Sequence, residues 1–173
     1  MFATIYIPNF LLQSAMRHDP ELGSNPLALI DDRTPKAVVI ELNAPAKEAG
    51  VTCGMAPSQG LARCANLKIK TRDRAQEKVV ADAILQLAFT LSPDVETSGT
   101  GVLTVQFTDW RNVDEKVRRV ISAANALQIT ACAGIAPTAD ASLIAAHVAT
   151  PVLRIDEPKS FLAALPVELL TTI

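Results

Sequence analysis

The stretch Ser92-Pro93-Asp94-Val95-Glu96-Thr97-Ser98-Gly99-Thr100-Gly101-Val102-Leu103-Thr104-Val105-Gln106-Phe107 decides how the chain is read. Strand-forming runs near Asp94–Thr97 and Val102–Phe107 flank a bend at Gly99 and Gly101, the pattern of a β-hairpin. On its N-terminal side, Val80, Ala83, Ile84 and Leu87 recur at helical spacing within Lys78–Ala88. On its C-terminal side, Asn112 with Glu115 three residues on has the spacing of a capping box. The helix so opened would carry an apolar stripe of Val113, Val117, Val120, Ile121 and Leu127. Ile129–Ala136 then reads as a strand, Thr138–Ala149 as a helix and Pro158–Ala164 as a last helix before Pro166 and a short apolar tail.

Further out, Phe2–Ile7 reads as a buried strand closed by Pro8, with Asn9 capping a helix through Leu11, Leu12, Ala15 and Met16. Pro26–Ile30 and Lys36–Ile40 read as strands joined by the charged turn Asp31-Asp32-Arg33-Thr34. Short helices are expected after Asn43 and Pro57, the first ended by Gly50, and a short strand at Leu67–Lys70. The expected fold is α/β in the α+β sense: a ferredoxin-like core with a mixed β-sheet and helices on one face, plus a small insertion. The expected division is 1–25 in the core, 26–70 as the insertion and 71–173 as the continued core.

With 173 residues, 49% hydrophobic, the chain can bury a substantial core. Aromatics are 4% and the net charge is -2, which argues against a strongly basic nucleic-acid binder acting unaided. Cys53, Cys64 and Cys132 form no CxxC pair, and with no signal peptide they point to a reducing, cytoplasmic setting. Clustered ligands for a structural zinc are missing, and no apolar run reaches membrane-spanning length.

Four segments in order resemble Y-family lesion-bypass DNA polymerases of the UmuC/DinB type. They are Ile5-Tyr6-Ile7-Pro8-Asn9-Phe10, then Asn43-Ala44-Pro45-Ala46-Lys47-Glu48-Ala49-Gly50-Val51 with Gly54-Met55 and Ala62-Arg63-Cys64, then the hairpin, then Ala133-Gly134-Ile135-Ala136-Pro137 with Leu143-Ile144-Ala145-Ala146 and Pro151. The resemblance implies a palm at 1–25 and 71–173, fingers at 26–70, and an end near the expected start of a thumb, either because this is an N-terminal piece or because the protein is short. The opening strand and Pro93–Glu96 are most similar to the ImuB-like branch, whose members act as accessories in damage-induced mutagenesis.

Carried over residue by residue, the family's metal-binding carboxylates fall on Pro8, Phe10, Gly101 and Val102, none of which offers a side-chain ligand. The positions that contact the incoming triphosphate fall on Ala44, Lys47 and Leu143, of which only Lys47 keeps a charge. The resemblance therefore implies no catalytic or metal-binding residue and no cofactor: a non-catalytic accessory module for DNA repair and translesion synthesis. Its partners would be replication and repair proteins and, weakly, primer-template DNA. Two other readings stay open: an active translesion DNA polymerase fragment using Mg²⁺, and an unrelated ferredoxin-like interaction domain.

Candidate DNA contacts are Lys68, Lys70, Arg72 and Arg74 in one group and Arg111, Arg118 and Arg119 in another, though nearby acids make a solvated face the plainer reading. Trp110 is either a core anchor or an exposed contact, and His147 reads as a half-buried histidine with a backbone partner.

Overall fold

A polar residue in the first strand organises the larger part of the fold. Thr4 is fully buried in β1 (Phe2–Tyr6), so its hydroxyl must find partners inside the protein. It lies 3.1 Å from the Thr104 hydroxyl and 2.7 Å from that of Ser142, and Ser142 donates to the Ala139 carbonyl at 2.7 Å. Each hydroxyl has one proton, so the order is fixed: Thr104 donates to Thr4, Thr4 to Ser142, Ser142 to Ala139.

The structure is a computed structural model that describes residues 1–17, 19–31, 33 and 36–166. In chain order β1 is followed by α1 (Phe10–Met16), a 3₁₀ turn (Pro20–Ser24), β2 (Leu27–Ile30), β3 (Val39–Leu42), α2 (Ala44–Glu48), α3 (Pro57–Arg63), β4 (Lys68–Thr71) and α4 (Arg74–Phe89). Then come β5 (Val95–Gly99), β6 (Val102–Gln106), α5 (Val113–Ala126), β7 (Cys132–Ala136), α6 (Ala139–Val148), β8 (Val152–Arg154) and α7 (Pro158–Ala163). The chain divides into two compact units, one made of Met1–Pro8 and the chain from Ala81 on, the other of Asn9–Val80.

The first unit holds a five-stranded sheet in the order β5-β6-β1-β7-β8. β1 runs antiparallel to β6 and β7, β5 antiparallel to β6, and β8 parallel to β7. The four strands β5-β6-β1-β7, with helices between β1 and β5 and between β6 and β7, give the expected ferredoxin-like mixed α/β arrangement flanked by helices. Cover extends to both faces, because Ala3, Thr4 and Ile5 are all fully buried although neighbours on a strand point opposite ways. The Thr4 face meets α6, whose backbone lies on Gly134 of β7: a Cβ there would stand 2.2 Å from the Ser142 carbonyl oxygen and 2.3 Å from the Ala146 nitrogen. α5 packs on β7 and buries Val117, Val120, Ile121 and Ala124.

The capping box expected at the start of α5 does not form. Asn112 is left-handed (φ 56°) with no side-chain cap, and Glu115 pairs instead with Arg119 one turn on. Thr138 does cap α6, accepting from Ala141 N at 3.3 Å.

The second unit is a three-stranded sheet, β3-β2-β4, with β2 antiparallel to β3 and parallel to β4. Leu27 and Leu29 bury one face with Leu12 of α1, while Ala28 buries the other with Ala46, Val51, Cys64 and Leu67. Asn43 is its junction. Its Oδ1 accepts from Ala46 N at 3.1 Å, capping α2, and from Leu27 N at 2.9 Å, while its Nδ2 donates to Asn25 O and Gly23 O. α1 is capped by a distant residue: Asn9 is left-handed (φ 48°), and Leu12 N donates instead to Glu41 Oε2 of β3 at 2.8 Å. Gly50 ends α2 at φ 82°, as its place in the sequence suggests. Of the charged turn at 31–34, Asp32 and Thr34 lie outside the described residues, as does the apolar tail after Pro166.

Candidate functional site

The C-terminal end of β1 and the β5–β6 turn meet, with Ile7 N donating to Gly101 O at 2.9 Å and Tyr6 paired with Val102 on one side and Cys132 on the other. Tyr6 stacks on His147 of α6, ring centroids 3.9 Å apart and planes at 24°. The His147 ring is held by Nδ1, 3.0 Å from the Leu143 carbonyl oxygen, the backbone partner expected for it. Burial pushes the half-buried Cys132 thiol up from its ordinary range. The stack escaped the sequence reading because its two members come from elements far apart in the chain.

Side chains here are Tyr6, Ile7, Pro8, Val102, Cys132 and His147, none of them a carboxylate. Phe10 belongs to α1, where it is 6% exposed and serves the core. Asp94 and Glu96 lie elsewhere, lining a pocket of about 250 Å³ with Phe2, Thr104, Gln106 and Ala139 at the opposite end of β1. Among the described residues no three His, Cys, Asp or Glu side chains stand close enough to share an ion. A two-ion phosphoryl-transfer centre needs several convergent carboxylates, and the residues present do not fit one.

Of the positions expected to face a triphosphate, Ala44 and Lys47 are exposed on α2, and Leu143 is half-buried on α6. Several of the candidate DNA contacts are engaged by neighbours in their own unit. Arg72 is engaged on two sides, with Nε and Nη2 on Glu77 at 2.8 and 2.5 Å and Nη1 on Asp31 at 3.3 Å. Hydrogen bonding to Glu77 accordingly raises its pKa. Arg74 meets the same Asp31 at 2.8 Å, and Asp31 is held below its usual range first by the Arg33 backbone N–H, then by the arginine charges. Lys70 donates to the Ala15 carbonyl at 3.1 Å. Arg111 pairs with Asp109 and Arg119 with Glu115, while Lys68 and Arg118 are exposed.

Trp110 is 66% exposed beside a pocket of about 420 Å³ formed with Met1, Phe107, Thr108, Pro137, Arg154 and Asp156. Arg154 is bound to Asp156 and to Asp114, so that pocket offers no charge preference.

The profile of the impB/mucB/samB family matches residues 5–147. The chain is 28% identical to the DNA polymerase IV of Serratia proteamaculans over 91% of its own length and 47% of that protein's. With the DNA polymerase IV of Ralstonia nicotianae it is 30% identical over 88% of this chain and 45% of that one. The chain thus spans about half the length of the curated relatives it matches. Its fold matches DinB from Sulfolobus solfataricus with a TM-score of 0.84 and 18% identity, covering 97% of this chain and 52% of that one. The insertion ternary complex of Dbh DNA polymerase gives a TM-score of 0.84 at 18% identity, over 97% and 53%.

These likenesses correct two expectations, that the chain is a non-catalytic accessory module and that it is not an enzyme. The relatives that match along nearly the whole chain are DNA polymerases. The error lay in reading lost catalysis from single carried-over positions.

Proposed function

We propose, starting from a chain that belongs to the impB/mucB/samB family and has the Y-family DNA-polymerase fold, that it is the palm-and-fingers part of a translesion DNA polymerase working on primer-template DNA. The observation that carries this is the 28% identity to a DNA polymerase IV across 91% of the chain. In this reading the five-stranded unit is the palm and the three-stranded unit the fingers. Lys47, exposed on α2, supplies a point charge to the triphosphate, and Lys68 and Arg118 offer charge to phosphate backbones. Within the family, the likeness of the opening strand and Pro93–Glu96 to the ImuB-like branch supports a place beside that branch. A cytoplasmic location and replication and repair partners belong to the same proposal. No helix among the described residues is long and apolar enough to cross a membrane.

The deciding experiment is primer extension by the 173-residue chain and by the longest product of its gene, with Mg²⁺ or Mn²⁺ and with EDTA. Extension, stronger in any longer form, is the expected result, and the EDTA arm tells whether it uses a metal, for which the described residues bring no set of carboxylates together. No extension from either, with both folded and bound to primer-template DNA, overturns the reading.

A further inference from the structure

Asp94, just before β5, and Glu96 within it stand two apart, so both point to one face of the sheet. Thr104 is opposite Glu96 in register, and the Gln106 N–H bonds to the Asp94 carbonyl, so Thr104 and Gln106 share that face. With Phe2, opposite Gln106, and Ala139 at the start of α6, these four line the pocket of about 250 Å³. Among the described residues no ion pair or hydrogen bond engages either carboxylate, and no lysine or arginine lines the pocket. Thr104 is an independent sign of a missing donor. It is 8% exposed and its one proton is committed to Thr4, so its oxygen is left on the pocket wall with lone pairs and nothing donating to them. Apart from the Gln106 amide, every polar side chain on the wall is an acceptor.

We propose that this pocket receives an arginine side chain of a partner protein, its guanidinium forked between the Asp94 and Glu96 carboxylates and the Thr104 oxygen, its aliphatic stem on Phe2 and Ala139. The two carboxylates set the sign of the charge. Three acceptors around one space call for several N–H donors in a fixed plane, which a guanidinium has and an ammonium point charge does not. A magnesium ion would need an octahedral cage of oxygens, and here two carboxylates stand over an apolar floor. Both carboxylates are exposed at the mouth, on the edge strand of the sheet, where the chain of a partner can approach.

The test is NMR titration of the ¹⁵N-labelled 173-residue chain with four probes at equal ionic strength. They are a blocked glycine-arginine-glycine peptide, the same peptide with citrulline, which keeps the shape without the charge, the same with lysine, and magnesium chloride. The arginine peptide should move the amide signals of Val95, Glu96, Thr104 and Gln106 and bind at least about fivefold tighter than the citrulline and lysine peptides. It should also slow solvent exchange of the Thr104 hydroxyl proton, which a purely surface attraction would leave alone. Glu96→Gln, an exposed change, should weaken the arginine peptide by about fivefold with the thermal midpoint unchanged. Equal binding of the citrulline or lysine peptide, movement of the same amides by magnesium at lower concentration, shifts confined to other residues, or indifference to Glu96→Gln each overturns the proposal.

Discussion

Gly134→Ala tests whether the close seat of α6 on β7 holds the larger unit together. Gly134 has an ordinary backbone conformation, so the change costs space and not torsion. The added methyl would meet the Ser142 carbonyl at 2.2 Å, the Ala146 nitrogen at 2.3 Å and the Ala145 Cβ at 2.6 Å. Two of these are backbone atoms and cannot rotate away, so α6 must retreat by roughly 1 Å to reach van der Waals contact, against a core packed near crystal density. The same retreat stretches the 2.7 Å bond between Thr4 and Ser142 beyond hydrogen-bonding range and takes the acceptor from the buried Thr4 hydroxyl. Overpacking costs about 1–3 kcal/mol. A buried hydroxyl pair left unmade adds about 1–3 kcal/mol. The expected loss is about 2–6 kcal/mol, a large part of the stability of an ordinary domain. Urea unfolding followed by circular dichroism, with the midpoint compared at equal slope, measures it. A loss below about 1 kcal/mol would refute the close seat and the role assigned to the hydroxyl chain.

Other perturbations follow from the second unit. Asn43→Ala removes the cap of α2 and the acceptor of Leu27 N together, so a loss of about 2–4 kcal/mol is expected by urea unfolding. Asn43→Asp keeps both acceptors and should fall between the two. Glu41 is pushed above its ordinary pKa by burial, with the Leu12 and Leu11 N–H groups opposing. The folded state therefore holds its proton longer than the unfolded chain, and stability drawn from this group falls as pH rises above about 4.5. Glu41→Gln should match the parent in acid and gain on it toward neutral pH, and a gap that shrinks as pH rises would show the sign to be wrong. In primer extension, Lys47→Ala should raise the nucleotide KM several-fold, by about 1 kcal/mol, and change kcat little. An unchanged KM would remove Lys47 from the triphosphate site.

Much of the fold was legible because its signals are local. The hairpin was read near Asp94–Thr97 and Val102–Phe107 and forms at Val95–Gly99 and Val102–Gln106, since glycine and β-branched residues act over a few positions. α4 begins at Arg74 and not at Lys78, because the Asp73 carboxylate accepts from Ala75 N and Gln76 N, a cap the apolar spacing alone does not reveal. β8 went unread: three residues are too few to show a period, and the strand exists because it pairs with β7. Both helix starts where asparagine was taken as a side-chain cap turned out left-handed, and the substitute at α1 comes from β3. The site was less legible than the fold. Tyr6 and His147 meet only in three dimensions, and the basic residues at 70–74 proved to be holding backbone and carboxylates inside their own unit.

The run of hydroxyls from Thr104 through Thr4 to Ser142 ends on a carbonyl, which has no proton to return, so its sense cannot reverse. It works as a one-way string with its open end at Thr104, the member that borders the Asp94–Glu96 pocket. In NMR, the Thr4 hydroxyl proton, sealed inside the sheet, should appear as a separate resonance exchanging slowly with solvent, while that of Thr104 exchanges sooner. Ser142→Ala would release that constraint, letting Thr4 donate to Thr104 instead, and should shift the slow signal.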